Sequence, residues 1–476
     1  MNKQKLSKSD IKRACNILRM DAGVGPGNYI EQFSWLIFLK VFENVEEELQ
    51  ELAEADRKKY KKIVDSEYRW SNWANKDWKD KDKLVNFVNK DLFPYLKTLR
   101  GTPEKEKVAD IFRDITQRID SPHTLLDVID ELNKIKMHHF QDTHLLSQIY
   151  EEILQEVGSS AGWSGEFYTP RPLIRLMIKI VSPKIGETIL DPFVGSAGFL
   201  VESHDHIRSS LKSIGVKERK TLQEKTFYGQ EKKPLPYLIG TMNMILHRIL
   251  NPNIIRTNTL MEDVLNIPDS KKVDVILTNP PFGGKENTSV QDNFPIKTGS
   301  TEALALQYVM RSLKSGGRCG IILPEGQLMF GGGAFKKIRE ELLTKFNVTA
   351  IISLPQGVFA QMGAGVKTNI VFFEKSGSTK EIWYGEVEGK FTKKQITQDK
   401  DMEAIFDKWK NKNVSKISWV VSKKELEKNN YDISPKNPNN NTISSLRKPE
   451  VILKDIYKGN KEIAQIIKYI DKVLSK

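Results

Sequence analysis

From about Gly158 to Glu374, short apolar runs alternate with amphipathic stretches, and no other feature of the 476 residues restricts the fold as strongly. The runs are Thr188-Ile189-Leu190, Thr226 to Gly229, Ile254-Ile255, Val273 to Thr278, Gly320 to Leu323, Val348 to Leu354 and Thr368 to Glu374. Strand and helix in alternation predict an α/β sheet with mostly parallel strands. The last two runs lack a helix-length link, so they are expected to pair antiparallel at one edge.

Residues 1–157 have a different character and are expected to form a helical domain. Ser7 or Ser9 can cap a helix that carries Ile11, Ala14, Cys15 and Leu18 on one face. Tyr29 to Val45 is apolar on most sides, which suits a helix buried in a bundle. Bases and aromatics interleave from 54 to 100 (Tyr68, Trp70, Trp73, Trp78, Phe87). Such rings can stack on nucleic acid, but aromatic anchors of a small helical domain are the favoured reading. A further helix is expected from His144 to Val157. Residues 158–376 hold the sheet. Residues 377–444 read as an irregular extension and linker, with Asn437 to Asn441 as an exposed loop. In 445–476, Ile463, Ile466, Ile467, Ile470 and Leu474 set one apolar stripe on a terminal helix that needs a partner surface.

Composition excludes several classes. No stretch reaches the roughly 18 apolar residues of a membrane span, and no secretory signal follows Met1. Cys15 and Cys319 are too far apart to make a zinc cluster. A cytoplasmic, metal-free chain is expected. The net charge of +13 is compatible with a nucleic-acid partner without demanding one.

The chemistry follows the strands. Ile189-Leu190-Asp191 leads into a turn of small residues, Gly195-Ser196-Ala197-Gly198, which lets backbone approach a ligand closely. Asp191 repels phosphate and attracts an amine, so the turn suits a nucleoside bearing an amino acid better than a dinucleotide. Glu231, ending the next run, can accept from both ribose hydroxyls. Asp263 after the third run can accept from an adenine amino group. Each acid alone is better explained as a loop carboxylate or helix cap; three in succession are harder to dismiss. Val273 to Thr278 then ends in Asn279-Pro280-Pro281-Phe282. Two prolines stop the strand, since neither donates to a ladder. The Asn279 side-chain oxygen and the Pro280 carbonyl are two acceptors for the N–H bonds of an exocyclic amine. They help localise its lone pair, and Phe282 offers a face for stacking. If the electrophile is a sulfonium methyl, alignment does most of the work. A base in a duplex must first be flipped out.

With these residues in place the chain resembles the N6-adenine DNA methyltransferases, most closely the modification (M) subunits of type I restriction-modification systems. Asp191-Pro192-Phe193-Val194-Gly195-Ser196-Ala197-Gly198 resembles their S-adenosylmethionine turn, and Asn279 to Phe282 their catalytic tetrapeptide. Glu166-Phe167-Tyr168-Thr169-Pro170-Arg171, which residue chemistry alone leaves without a role, resembles the segment over that cofactor. Ala14 to Arg19, Leu36 to Lys40 and Asn430 to Ile433 also look like family segments. The resemblance implies a Rossmann-like S-adenosylmethionine-dependent methyltransferase sheet of seven strands, the last antiparallel, with an all-α N-terminal domain and a C-terminal helical tail. It implies that residues 166–171, Asp191, Phe193, Gly195 to Gly198, Glu231 and Asp263 hold the cofactor. It also implies double-stranded DNA as substrate, a second M subunit, a specificity (S) subunit and a restriction (R) subunit. No long target-recognition region follows the tetrapeptide, which fits a separate reader, and the terminal helix is then expected to dock on the S subunit.

Two alternatives compete. Asn-Pro-Pro-aromatic also serves glutamine methylation in proteins, but such enzymes are shorter and usually carry Tyr where Phe282 stands. A methyltransferase-like subunit without activity conflicts with intact Asp191, Glu231, Asn279 and Phe282.

Overall fold

A computed structural model describes residues 8–21, 23–24, 28–55, 57, 59–134, 168–211, 215–360, 365–392 and 397–439, with 453, 456–457, 460–461 and 463–468 near the C-terminus. The expected helix His144 to Val157, and the expected cofactor residues Glu166 and Phe167, lie outside the described residues.

The N-terminal region is helical. Helix α1 (Lys8–Met20) and the long α2 (Tyr29–Ala55) lead to α3 (Pro103–Asp114) and α4 (Pro122–Lys134), with shorter turns between. Helix α3 begins where its sequence marks a start: the Thr102 side chain accepts from Lys105 N, and Pro103 takes the first turn, where no donor is missed. Helix α2 buries Phe33, Trp35, Leu36, Phe38, Val41 and Phe42, as its all-round apolar character requires. The interleaved aromatics turn inward as well. Trp70 and Trp73 are buried, Tyr68 stacks on Tyr95 with ring centroids 3.8 Å apart, and Trp78 Nε1 donates to the Trp73 carbonyl at 2.9 Å. These rings are core anchors.

The sheet follows α5 (Arg171–Val181). Its strands are β1 (Ile189–Asp191), β2 (Phe227–Glu231), β3 (Asn253–Arg256), β4 (Val273–Thr278), β5 (Leu313–Pro324), β6 (Asn347–Leu354), β7 (Thr368–Glu374), β8 (Glu381–Glu386) and β9 (Ser418–Ser422). Their order is β3-β2-β1-β4-β5-β7-β6-β8-β9. Pairs β1–β2, β1–β4, β2–β3 and β4–β5 are parallel. Strand β7 runs antiparallel to both β5 and β6, as the unlinked runs near 350 and 370 led us to expect.

The expected count of seven strands is corrected to nine among the described residues. Strand β8 pairs parallel with β6, and β9 antiparallel with β8, so the β6–β7 pair is interior. The stretch expected to be irregular after Gly377 supplies both strands and helices at Asp399–Lys410 and Lys423–Lys428. Its strands are short and set among lysines, so local pattern is weak. The exposed backbone edge of β6 recruits β8, and Ile382, Trp383 and Tyr384 are buried in the process.

Two helices place the site. Helix α6 (Gly198–Ser210) starts at the small-residue turn after β1, and α7 (Pro234–Leu246) follows β2. Helix α7 is apolar all round because it is wedged between two cores. Leu238, Ile239, Met242, Ile245 and Leu246 pack with the N-terminal helices, whereas Tyr237 and Met244 pack under the sheet. Each such side chain contributes about 1.5–3 kcal/mol when fully buried. The Arg256–Asp114 pair at 2.8 Å also joins the two regions, though a half-exposed ion pair adds little.

Among the described residues no helix is long and apolar enough to cross a membrane. The terminal stripe is exposed: Ile463, Ile466 and Ile467 are 55%, 59% and 53% accessible. Ile470 and Leu474 lie outside the described residues.

Candidate active site

Strands β1, β2 and β4 are parallel neighbours, so Asp191, Glu231 and Asn279 reach one edge of the sheet. Ligands bind at this carboxyl edge in open α/β sheets, where the topology switches direction.

The turn after β1 is tightly held. Gly195 has φ +49° and Ala197 has φ +62°, a left-handed conformation that costs an alanine about 1 kcal/mol. Glu231 secures the turn: Oε2 accepts from Gly195 N at 3.0 Å and Oε1 from Lys233 N at 2.8 Å. Helix α7 secures it from below. Asn243 Nδ2 donates to the Ser196 carbonyl at 2.8 Å. A Cβ on Gly240 would lie 2.6 Å from the Gly195 carbonyl oxygen, so only glycine lets α7 approach this closely. Sequence reasoning passed over Gly240 and Asn243. A glycine and an amide three residues apart on one face of an otherwise apolar helix was the available signal.

Asp191 is 1% exposed. Its Oδ1 accepts from Thr278 Oγ1 at 2.7 Å and from Phe193 N at 3.2 Å. Burial pushes its carboxyl up from 3.8 to about 7. The two hydrogen bonds oppose that rise, and the nearby Glu231 charge adds to it. Burial also raises Glu231.

A cleft of about 220 Å³ opens beside the turn. Phe193 and Glu231 line it from the donor side, Asn258, Thr259 and Leu260 from the segment after β3, and Pro281 from the tetrapeptide. The cleft sets the apolar faces of Phe193, Leu260 and Pro281 beside two carboxylates, Glu231 and Glu286, and three lysines, Lys232, Lys233 and Lys285, a lining that suits a ring bearing hydroxyls, and the glycine-permitted approach of α7 fixes the turn beside it. Asp263 stands apart from the other expected acids. It does not line this cleft; its carboxylate accepts from Leu265 N at 2.9 Å and Asn266 Nδ2 at 2.7 Å, capping a short turn. An acid two residues before a free N–H finds that donor first.

The segment 168–170 runs alongside. Tyr168 is half-buried against the sheet core, and Thr169 and Pro170 are buried. The Arg171 guanidinium forms a buried ion pair with Glu202, 3.1 Å away on α6, and reaches the Gly198 carbonyl at 3.5 Å. Arg175 shares Glu202 and reaches Asp399 at 2.7 Å. Arg171 therefore anchors α5 to α6.

After β4, Asn279 Nδ2 donates to Thr169 Oγ1 at 3.0 Å. Asn279 Oδ1 is shielded from solvent and accepts no hydrogen bond among the described residues. Pro280 is buried and Pro281 half-buried. Phe282 meets Phe359 edge-on, centroids 5.8 Å apart; Phe359 comes from the β6–β7 connection and was not foreseen. Glu302 accepts from Gly283 N and from the Ser300 hydroxyl, which fixes the loop that follows. A second cleft, about 480 Å³, lies on the far side of this loop between Gly283 and Gln327.

The chain matches two family models: N-6 DNA Methylase over residues 141–445 and HsdM N-terminal domain over residues 7–132. It is 38% identical to the type I restriction enzyme EcoEI methylase subunit of Escherichia coli, over 96% of this chain and 95% of that protein. A solved chain from work on assembly and conformational transition of the type I R-M system is 39% identical, with TM-score 0.77 and 98% of both chains covered. A Vibrio vulnificus YJ016 chain, assigned as a modification subunit of a type I restriction enzyme, is 33% identical with TM-score 0.84, over 92% of this chain and 99% of its own.

Proposed function

This chain belongs to the N-6 DNA methylase family, among the methylase subunits of type I restriction enzymes, and on that premise we propose that it methylates N6 of an adenine flipped out of double-stranded DNA, with S-adenosylmethionine as donor. The observation that carries the reading is the acceptor at the strand end: Asn279 Oδ1, shielded and without a donor among the described residues.

S-adenosylmethionine, when bound, supplies an activated sulfonium methyl. The chain's own residues do the rest. Phe193 and Leu260 face the nucleoside base, and Glu231 accepts from its ribose hydroxyls. Ionised Asp191 favours an amine beside the turn. Asn279 Oδ1 and the Pro280 carbonyl accept the two N–H bonds of adenine N6, and Phe282, braced by Phe359, stacks on the flipped base. Fixing reactants in this way replaces a diffusional encounter. The test is a radiolabelled methyl-transfer assay with the assembled methylase, followed by mapping of N6-methyladenine. Label in protein glutamine, or none in DNA, would reject the reading.

Partner subunits follow from the same reading. A second M subunit and an S subunit that reads the DNA complete the methylase, and an R subunit adds cleavage. The exposed Ile463-Ile466-Ile467 stripe is the surface for the S subunit, since an apolar patch rimmed by charge marks an interface. Deletion from Ile463 onward is expected to weaken assembly on size-exclusion chromatography; an unaltered complex would remove the stripe from that role.

A further inference from the structure

We propose that Thr169 is the positioning residue for the catalytic amide: by accepting from Asn279 Nδ2, it turns Asn279 Oδ1 toward the amine to be methylated. The inference rests on the functional reading above and assigns Thr169 a task other than holding the cofactor.

The contact is 3.0 Å long and joins segments 110 residues apart in the chain. Thr169 is 8% exposed, so water does not readily compete for its hydroxyl. A carboxamide has two ends of nearly equal shape, and a half-turn exchanges acceptor for donor. Adenine N6 presents only N–H bonds in the plane that Asn279 must meet. With Oδ1 toward the amine and Nδ2 toward Thr169, both ends of the amide meet a partner. With the amide reversed, N–H faces N–H. Without an acceptor at residue 169, the half-buried Nδ2 is left unsatisfied, at a cost of up to about 1–3 kcal/mol. The amide then gains by rotating away. Thr169 directly precedes Pro170 and α5, which the Arg171–Glu202 pair anchors, so the hydroxyl is delivered from a fixed frame.

The experiment compares wild type, Thr169→Val and Thr169→Ser in the assembled methylase. Tritiated S-adenosylmethionine and unmethylated DNA give kcat and KM, and calorimetry with S-adenosylmethionine alone gives donor affinity. Thr169→Val keeps the shape and removes the hydroxyl. It is expected to lower kcat at saturating donor by about ten- to hundred-fold, with donor affinity unchanged, and Thr169→Ser to restore most of the rate. Wild-type kcat in Thr169→Val overturns the proposal. So does weakened donor affinity with normal kcat at saturation, the mark of a residue that merely binds cofactor. Should the valine variant melt early, Thr169→Ala decides by the same criteria. A wild-type enzyme that leaves adenine N6 unmethylated overturns the functional reading instead.

Discussion

Strands β1 and β4 lie side by side, yet their ends use polar side chains in opposite ways. At β1, Asp191 is engaged from within the protein: its Oδ1 takes the Thr278 hydroxyl and the Phe193 N–H. At β4, among the described residues, Asn279 is engaged through its nitrogen and its oxygen accepts nothing. The donor side is a closed joint whose charge state depends on burial. The transfer side keeps an acceptor in reserve. A fold tolerates a buried unsatisfied acceptor, at about 1–3 kcal/mol, where a ligand later brings the donor. The difference separates a group that shapes the site from a group that meets the substrate.

The sharpest way to break this comparison is Asn279→Ala. It is expected to lower kcat by about a hundred- to a thousandfold or more, with donor binding by calorimetry largely retained. Surviving methylation, or lost donor binding, would merge the two strand ends into one role.

A smaller effect is expected from pH. The folded-state carboxyl of Asp191, raised to about 7, holds a proton that the unfolded chain releases at its ordinary, lower value. Its contribution therefore favours folding at low pH and is lost as pH rises through about 7. A cationic amine in the donor site favours the ionised form. Donor affinity should then increase by up to about tenfold between pH of about 6 and about 8, and Asp191→Asn should flatten that profile. A flat wild-type profile would detach Asp191 from the donor.

The smallest effect belongs to Asp263. As a turn cap, Asp263→Ala should cost about 1 kcal/mol of stability in thermal melts and leave donor affinity level. Weakened donor binding would return Asp263 to the cofactor site.

Much of the architecture was legible because its signals are local. Periodicity marked the buried α2, the parallel strands and the terminal stripe, and two prolines marked the end of β4. Asp191, Glu231 and Asn279 were placed at one edge because strand ends of a parallel sheet share an edge. The signal says least where partners compete. Asp263 and Arg171 carry chemistry suited to a cofactor, and the structure shows them bonded to nearer partners, Leu265 N and Glu202. Strands β8 and β9 were hidden because backbone pairing with β6 outweighs a weak local pattern.

By itself, then, the sequence determined which residues stand at the strand ends and which face of each element is apolar, since these depend on neighbours a few residues away. Only the tertiary structure decided which polar atoms are already satisfied. Thr278 reaches Asp191 across 87 residues and Thr169 reaches Asn279 across 110. Hydrogen bonds of that span depend on how the chain packs, and no local spacing encodes them.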